Sequence, residues 1–192
     1  MRKLGLFANI AAGVLLVGAL GYYNFVDKAS DTVTEGMWCP DFTAQTYQVD
    51  GDTFSVSGDT FILSENRDKI CVVNFWETWC QACVEELPSF NQIQEEYSDQ
   101  VEVVAIVGVT STADGAATWM SNKGWTTYDK ESDWADFSLT FAYLPAAICN
   151  DLGCAGMLPR TIIVNKKGII AYAQDGSMTH EALQNIIEGM LE

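Results

Sequence analysis

The stretch from Cys71 to Pro88 constrains this chain more than any other. It begins Cys71-Val72-Val73-Asn74-Phe75-Trp76, apolar, β-branched and aromatic, which predicts a buried strand. After Glu77-Thr78-Trp79 the pattern turns helical where Cys80 and Cys83 stand. A strand running into a helix puts Cys80 at the helix start and Cys83 one turn further in. A helix N-terminus offers unpaired backbone N–H groups and the positive end of the dipole, and both favour a thiolate. Cys80 is therefore expected to have a lowered pKa and to be the attacking sulfur. Cys83 faces inward, placed to close a small disulfide ring with it. The C-x-x-C spacing also occurs as half of a zinc site and as an inert bridge. Its place at a strand-to-helix junction, flanked by Trp76 and Trp79, favours redox chemistry.

The chain has 192 residues, enough for one domain with a sizeable core. Its net charge of −16 argues against nucleic acid, which needs a basic face, and reads as a solvated acidic surface. After Met1-Arg2-Lys3 no charge occurs until Asp27. The 23 residues from Leu4 to Val26 are long enough to cross a bilayer as a helix. Arg2 and Lys3 would stay in the cytoplasm, and Tyr22 and Tyr23 fit the far interface as aromatic anchors. The rival reading is a cleaved signal peptide ending near Val17-Gly18-Ala19. The length and the tyrosine pair favour an uncleaved anchor over residues 1–26, followed by a polar spacer over 27–36 and a folded domain over 37–192. Either way residues 27–192 face outward, on the extracytoplasmic side of the cell membrane. Six cysteines in such a domain are compatible with disulfides.

Further along, Phe42–Val49 and Thr53–Val56 alternate around Asp50-Gly51-Asp52, a hairpin signal. Residues 59–66 read as a short helix or loop. Ile70–Trp76 is the central strand, Ala82–Tyr97 a helix containing Pro88, and Val101–Val109 a strand covered on both faces. Residues 114–123 read as a helix and 125–129 as a short strand. The tract 132–157 holds a helix or two, interrupted by Pro145 and Gly153. Arg160–Val164 and Ile169–Gln174 form a hairpin around Asn165-Lys166-Lys167-Gly168, and Thr179 caps a last helix, His180–Leu191. Helices would cover both faces of a mixed sheet.

Asn74-Phe75-Trp76-Glu77-Thr78-Trp79-Cys80-Gln81-Ala82-Cys83 resembles the active-site segment of membrane-anchored thioredoxin-like proteins of the TlpA/ResA group. Met37-Trp38-Cys39-Pro40-Asp41-Phe42 resembles the segment that opens their extracytoplasmic members. The resemblance spans about residues 36–191. It implies an α/β thioredoxin fold with an N-terminal β-hairpin extension, preceded here by the transmembrane helix. Leu158-Pro159-Arg160-Thr161 resembles the family's cis-proline loop, which implies that Pro159 packs beside Cys80 and Cys83. Leu158 would then pair its backbone with an extended client segment, and Trp79 would be a partly exposed client contact.

Cys83 must lose a proton when it resolves a mixed disulfide, and a buried carboxylate can take it. Cytoplasmic thioredoxins carry an aspartate at the position of Asn74, and an amide cannot do that work. Glu86, three residues after Cys83 on the same helix face, is the substitute, and ResA-type members have a glutamate there. Glu85 reads as solvated, and Glu77 as a screened surface charge in the turn before Cys80. Cys149 and Cys154 read as a local structural disulfide, with a second redox couple as the alternative. Cys39 and Cys71 either pair or stay as buried free thiols.

The resemblance implies a thiol–disulfide oxidoreductase, a protein-disulfide reductase that needs no cofactor and no metal. Its clients would be exported disulfide-containing proteins such as apocytochromes awaiting haem, and a membrane electron donor would re-reduce it. The runner-up is a disulfide-forming oxidant of the same fold, disfavoured because Gln81-Ala82 contains no histidine. A copper- or zinc-binding module would have only His180 as a distant histidine ligand. A peroxidase would need a threonine-proline framework around a lone cysteine, and haem attachment would need histidine where Val84 stands.

Overall fold

The computed structural model describes residues 33–122, 136–154 and 157–192. The expected anchor and spacer up to residue 32, the strand expected over 125–129 and the last residue of the helix expected over 114–123 lie outside the described residues. Among the described residues no helix is long and apolar enough to cross a membrane.

Seven strands form one mixed sheet: β1 (Thr43–Asp50), β2 (Thr53–Ile62), β3 (Ile70–Trp76), β4 (Val101–Val107), β5 (Thr140–Tyr143), β6 (Arg160–Val164) and β7 (Ile170–Asp175). Their order across the sheet is β2-β1-β5-β4-β3-β6-β7. Among the described residues the α-helices are α1 (Gln81–Glu96), α2 (Ala113–Ser121), α3 (Ala146–Asp151) and α4 (His180–Leu191). This is the thioredoxin-like arrangement, with the β1–β2 hairpin joined to it through β5.

Every residue of β3 is buried, as its unbroken apolar run requires of a strand between two layers. It pairs in parallel with β4 and antiparallel with β6. Alternate β3 side chains enter two separate cores. Val72 and Trp76 meet Leu87, Phe90, Met120, Leu183 and Ile187 from α1, α2 and α4. Cys71, Val73 and Phe75 meet Phe42, Phe61, Leu63, Cys149 and Leu152 on the other side. Helices therefore cover the two faces unequally. The second face has the short α3, the 3-10 turn Leu63–Asn66 and the extended segment leading into β1.

Two sequence expectations need correction. Residues 59–62 are not a helix or loop: they continue β2, because Phe61 and Ile62 find partners in Ala44 and Thr43 past an irregularity in β1 between Gln45 and Tyr47. The tract after residue 136 contains a strand as well as a helix. β5 is only four residues long and is held by β4 on one side and β1 on the other.

Gly108, just after β4, has φ +143, and a Cβ there would stand 1.9 Å from the Leu144 carbonyl oxygen. The Leu144 amide donates to Val107 O at 3.0 Å, so β4 and the chain beyond β5 meet too closely for a side chain. Gly108→Ala should lower the unfolding free energy in urea by at least about 2 kcal/mol, the scale of one forced backbone conformation plus a backbone clash; an unchanged midpoint would refute this reading.

Candidate active site at the start of α1

Cys80 is the N-cap of α1, in extended backbone, and its Sγ accepts the amide N–H of Cys83 at 3.3 Å. The two cysteines are joined as a disulfide. Cys83 is 0% exposed and Cys80 6% exposed, so Cys80 presents the outer sulfur. A sulfur at this cap receives an orphan backbone donor and lies at the positive end of the helix.

Glu77 departs from expectation. It is fully buried, not a screened surface charge. Its Oε1 accepts the amides of Gly108 at 3.3 Å, Thr110 at 2.8 Å and Ser111 at 3.2 Å, and the Ser111 hydroxyl donates to Oε2. A buried carboxylate is tolerable when donors surround it. Here they come from the loop between β4 and α2, so Glu77 clamps the turn before Cys80 to that loop. Trp79 joins the same contact, its indole N–H donating to Thr110 Oγ1 at 2.8 Å. Its ring is 65% exposed, whereas Trp76 is fully buried. Nothing local in sequence signals this role for Glu77, since its partners lie 31 to 34 residues downstream.

Glu86 is buried and Glu85 exposed. Glu86 Oε2 accepts the Met178 amide at 2.8 Å, and Oε1 accepts from Asn74 Nδ2 at 2.8 Å. Burial pushes its carboxyl up from 4.5 to about 7, the two hydrogen bonds opposing the rise. Asn74 also donates to Thr161 Oγ1 at 3.3 Å, tying β3 and β6 to the carboxyl.

The Leu158–Pro159 peptide is cis. In the β3–β6 pairing Thr161 lies opposite Asn74 and Arg160 opposite Phe75. Pro159, one residue beyond, is thereby carried to the end of β3 that leads to Cys80. Leu158 is half-buried and packs against both cores, while Met157 before it is 60% exposed. The site thus has Cys80, Trp79, Met157 and the proline loop at one end of the sheet. His180 lies away at the start of α4, paired with Glu96 at 2.8 Å.

The bridge expected between Cys149 and Cys154 is not closed; both are free buried thiols. A hydrogen bond occupies the first instead: Cys149 Sγ donates to Leu144 O at 3.3 Å. Cys39 and Cys71 are also free, and burial pushes each thiol up to about 12.

A profile of the AhpC/TSA family matches residues 36–173. The thioredoxin-like protein YneN of Bacillus subtilis is 29% identical over 185 residues, covering 92% of this chain and 95% of that one. The thiol-disulfide oxidoreductase ResA of Bacillus subtilis is 28% identical over 188 residues, covering 96% and 92%. Among solved structures, StoA from Bacillus subtilis superposes with a TM-score of 0.56 at 19% identity, covering 77% of this chain and 96% of that one. The thioredoxin domain of a thiol-disulfide oxidoreductase from Bacteroides vulgatus does so with 0.60 at 16%, covering 83% and 99%.

Two substitutions probe the buried carboxylates. Glu77→Ala would strand three backbone donors, each costing on the order of 1 kcal/mol or more, so urea unfolding should show a loss of about 3 kcal/mol; a loss under 1 would contradict the clamp. For Glu86 the native state keeps a proton that the unfolded chain releases above pH 4.5. Its contribution to stability is therefore lost as pH rises from 4.5 through about 7. Relative to Glu86→Gln, the wild type should lose up to roughly 3 kcal/mol across that window. Parallel stability curves for the two proteins would contradict the raised carboxyl.

Proposed function

We infer that this chain, which belongs to the AhpC/TSA family, is a thiol–disulfide oxidoreductase whose working pair is Cys80 and Cys83, and that it runs in the reducing direction outside the cytoplasmic membrane. The observation that carries the pair is its placement: a cysteine disulfide at the mouth of α1, outer sulfur on Cys80, inner sulfur fully buried on Cys83.

In the reduced enzyme the Cys80 thiolate attacks one sulfur of a client disulfide and releases the other as a thiol. Cys83 then loses its proton and attacks Cys80, freeing the client's second thiol and closing the enzyme disulfide. Two electrons pass to the client, and a membrane electron donor restores the dithiol. Glu86 is the group that takes the Cys83 proton. It lies one turn beyond Cys83, and its carboxyl, raised to about 7, ionises close to neutrality. Trp79, Leu158 and Pro159 receive the client: an exposed ring on one side, and on the other a loop whose proline has no N–H to compete for the sulfur.

The activity class rests on relatives that are thiol-disulfide oxidoreductases, and the reducing direction and the client class, exported proteins such as apocytochromes, on the resemblance of residues 74–83 to the TlpA/ResA group. The extracytoplasmic, membrane-anchored setting rests on the apolar run Leu4–Val26 behind Arg2 and Lys3.

Cys83→Ala removes the resolving sulfur, so Cys80 should stay disulfide-linked to its client, and mass spectrometry of the captured adduct identifies it. Capture through Cys154 instead would overturn the site. The direction is read from the reduction potential of the Cys80–Cys83 pair: a value near the roughly −270 mV of thioredoxin supports a reductant, and one near −120 mV makes the protein a disulfide-forming oxidant.

A further inference from the structure

We propose that Cys149 and Cys154 are a second thiol–disulfide couple, separate from Cys80–Cys83, which closes under oxidising conditions and fastens the end of α3 ahead of the proline loop. The chain geometry brings the two sulfurs together. α3 ends in the left-handed residue Gly153, φ +83. The Gly153 amide donates to Asn150 O at 2.9 Å and the Cys154 amide to Cys149 O at 3.0 Å. That bond pattern is a Schellman cap, which folds the residue after the glycine back over the residue that begins the last turn. In many such caps an apolar contact fills that place; here two buried free cysteines stand at the two positions.

A second observation marks the pair as more than packing. Arg160 is 4% exposed, and its Nε is buried without a hydrogen-bond partner. Its other nitrogens are taken, Nη1 by Asp175 at 2.7 Å and Nη2 by Val33 O at 2.8 Å. The guanidinium lies against Gly153, with Nε 3.2 Å from where a Cβ would stand. It attracts negative charge on Cys154, opposing the burial that pushes this thiol up. Cys154, 2% exposed against 0% for Cys149, is the outer of the two sulfurs and the one assigned to an incoming disulfide.

The oxidant is a disulfide of glutathione type. The Cys154 thiolate takes one half of it and expels the other as a thiol. Cys149 then gives up its proton and attacks Cys154, expelling the second thiol and leaving the Cys149–Cys154 bond. The Cys80–Cys83 disulfide of the same chain is not the oxidant, because it belongs to the core on the opposite face of the sheet.

The full chain, fully reduced, is brought to equilibrium in glutathione buffers of increasing oxidised fraction, quenched in acid, unfolded, alkylated and cut with trypsin. Cys149 and Cys154 fall together on the peptide 131–160, apart from the other four cysteines. This peptide should lose both alkyl labels together and carry no glutathione. In Cys149→Ser the Cys154 thiol, with no sulfur to resolve it, should carry one glutathione; a label kept there at the oxidised limit would overturn the order of attack. Two labels retained at the oxidised limit, where Cys80–Cys83 is closed, would overturn the proposal; so would a glutathione on each thiol, or a bond to Cys39 or Cys71. None of those outcomes touches the assignment of Cys80 and Cys83, which is read from a different peptide.

Discussion

A strand with water on neither face has to satisfy its polar side chains from within the protein. β3 buries the amide of Asn74, whose N–H groups find partners while its Oδ1 has none, and two neighbouring elements are tied to that side chain. Asn74 spends its amide N–H groups on Glu86 of α1 and Thr161 of β6. That small network ties α1 and β6 to the same residue of β3. The β3–β6 register carries Pro159 to the end of β3 that leads to Cys80. A shift of one residue in either pairing would turn every side chain of β3 to the wrong core and carry the proline away from the sulfurs.

Glu77 and Glu86 show how hydrogen bonding divides the work of two buried carboxylates at one site. Glu77 is met by three amides and a hydroxyl from a single loop. Its carboxyl oxygens serve to hold backbone, and the loop they hold also carries the partner of Trp79. Glu86 is met by one amide and one side-chain donor. That is too few to offset its burial, so its carboxyl ionises near neutrality. A carboxyl poised there can accept and return a proton without leaving its place, which a fully satisfied one does poorly.

The parts of the fold legible in the sequence were those whose pattern is local. β3, α1, β4 and α4 each carry their own periodicity, and the β1–β2 hairpin carries its own Asp-Gly turn. β5 and the second half of β2 do not. Thr140–Tyr143 is too short for a period, and its strand character is conferred by β4 and β1. Gly58-Asp59 reads as a break, and only pairing with β1 carries the strand through it. The site divides in the same way. Cys80, Cys83 and Glu86 share one helix turn pattern and could be found by spacing. Pro159 could be singled out only by its likeness to a known loop. Glu77 had no signal at all, because a carboxylate in a turn looks the same whether its donors are water or a loop thirty residues away.

The sheet also sorts the six cysteines. Cys80 and Cys83 belong to the core beneath α1, and Cys39, Cys71, Cys149 and Cys154 to the other. Thiol–disulfide exchange needs sulfur to touch sulfur in line with the breaking bond, and a layer of buried backbone stands between the two sets. An enzyme that handles reactive sulfur must keep spare thiols from intercepting its own mixed disulfide. Here burial raises the Cys39 and Cys71 thiols to about 12, which leaves almost no thiolate at neutral pH. Position across the sheet and a suppressed thiolate act in the same direction, keeping Cys39 and Cys71 away from the Cys80–Cys83 disulfide.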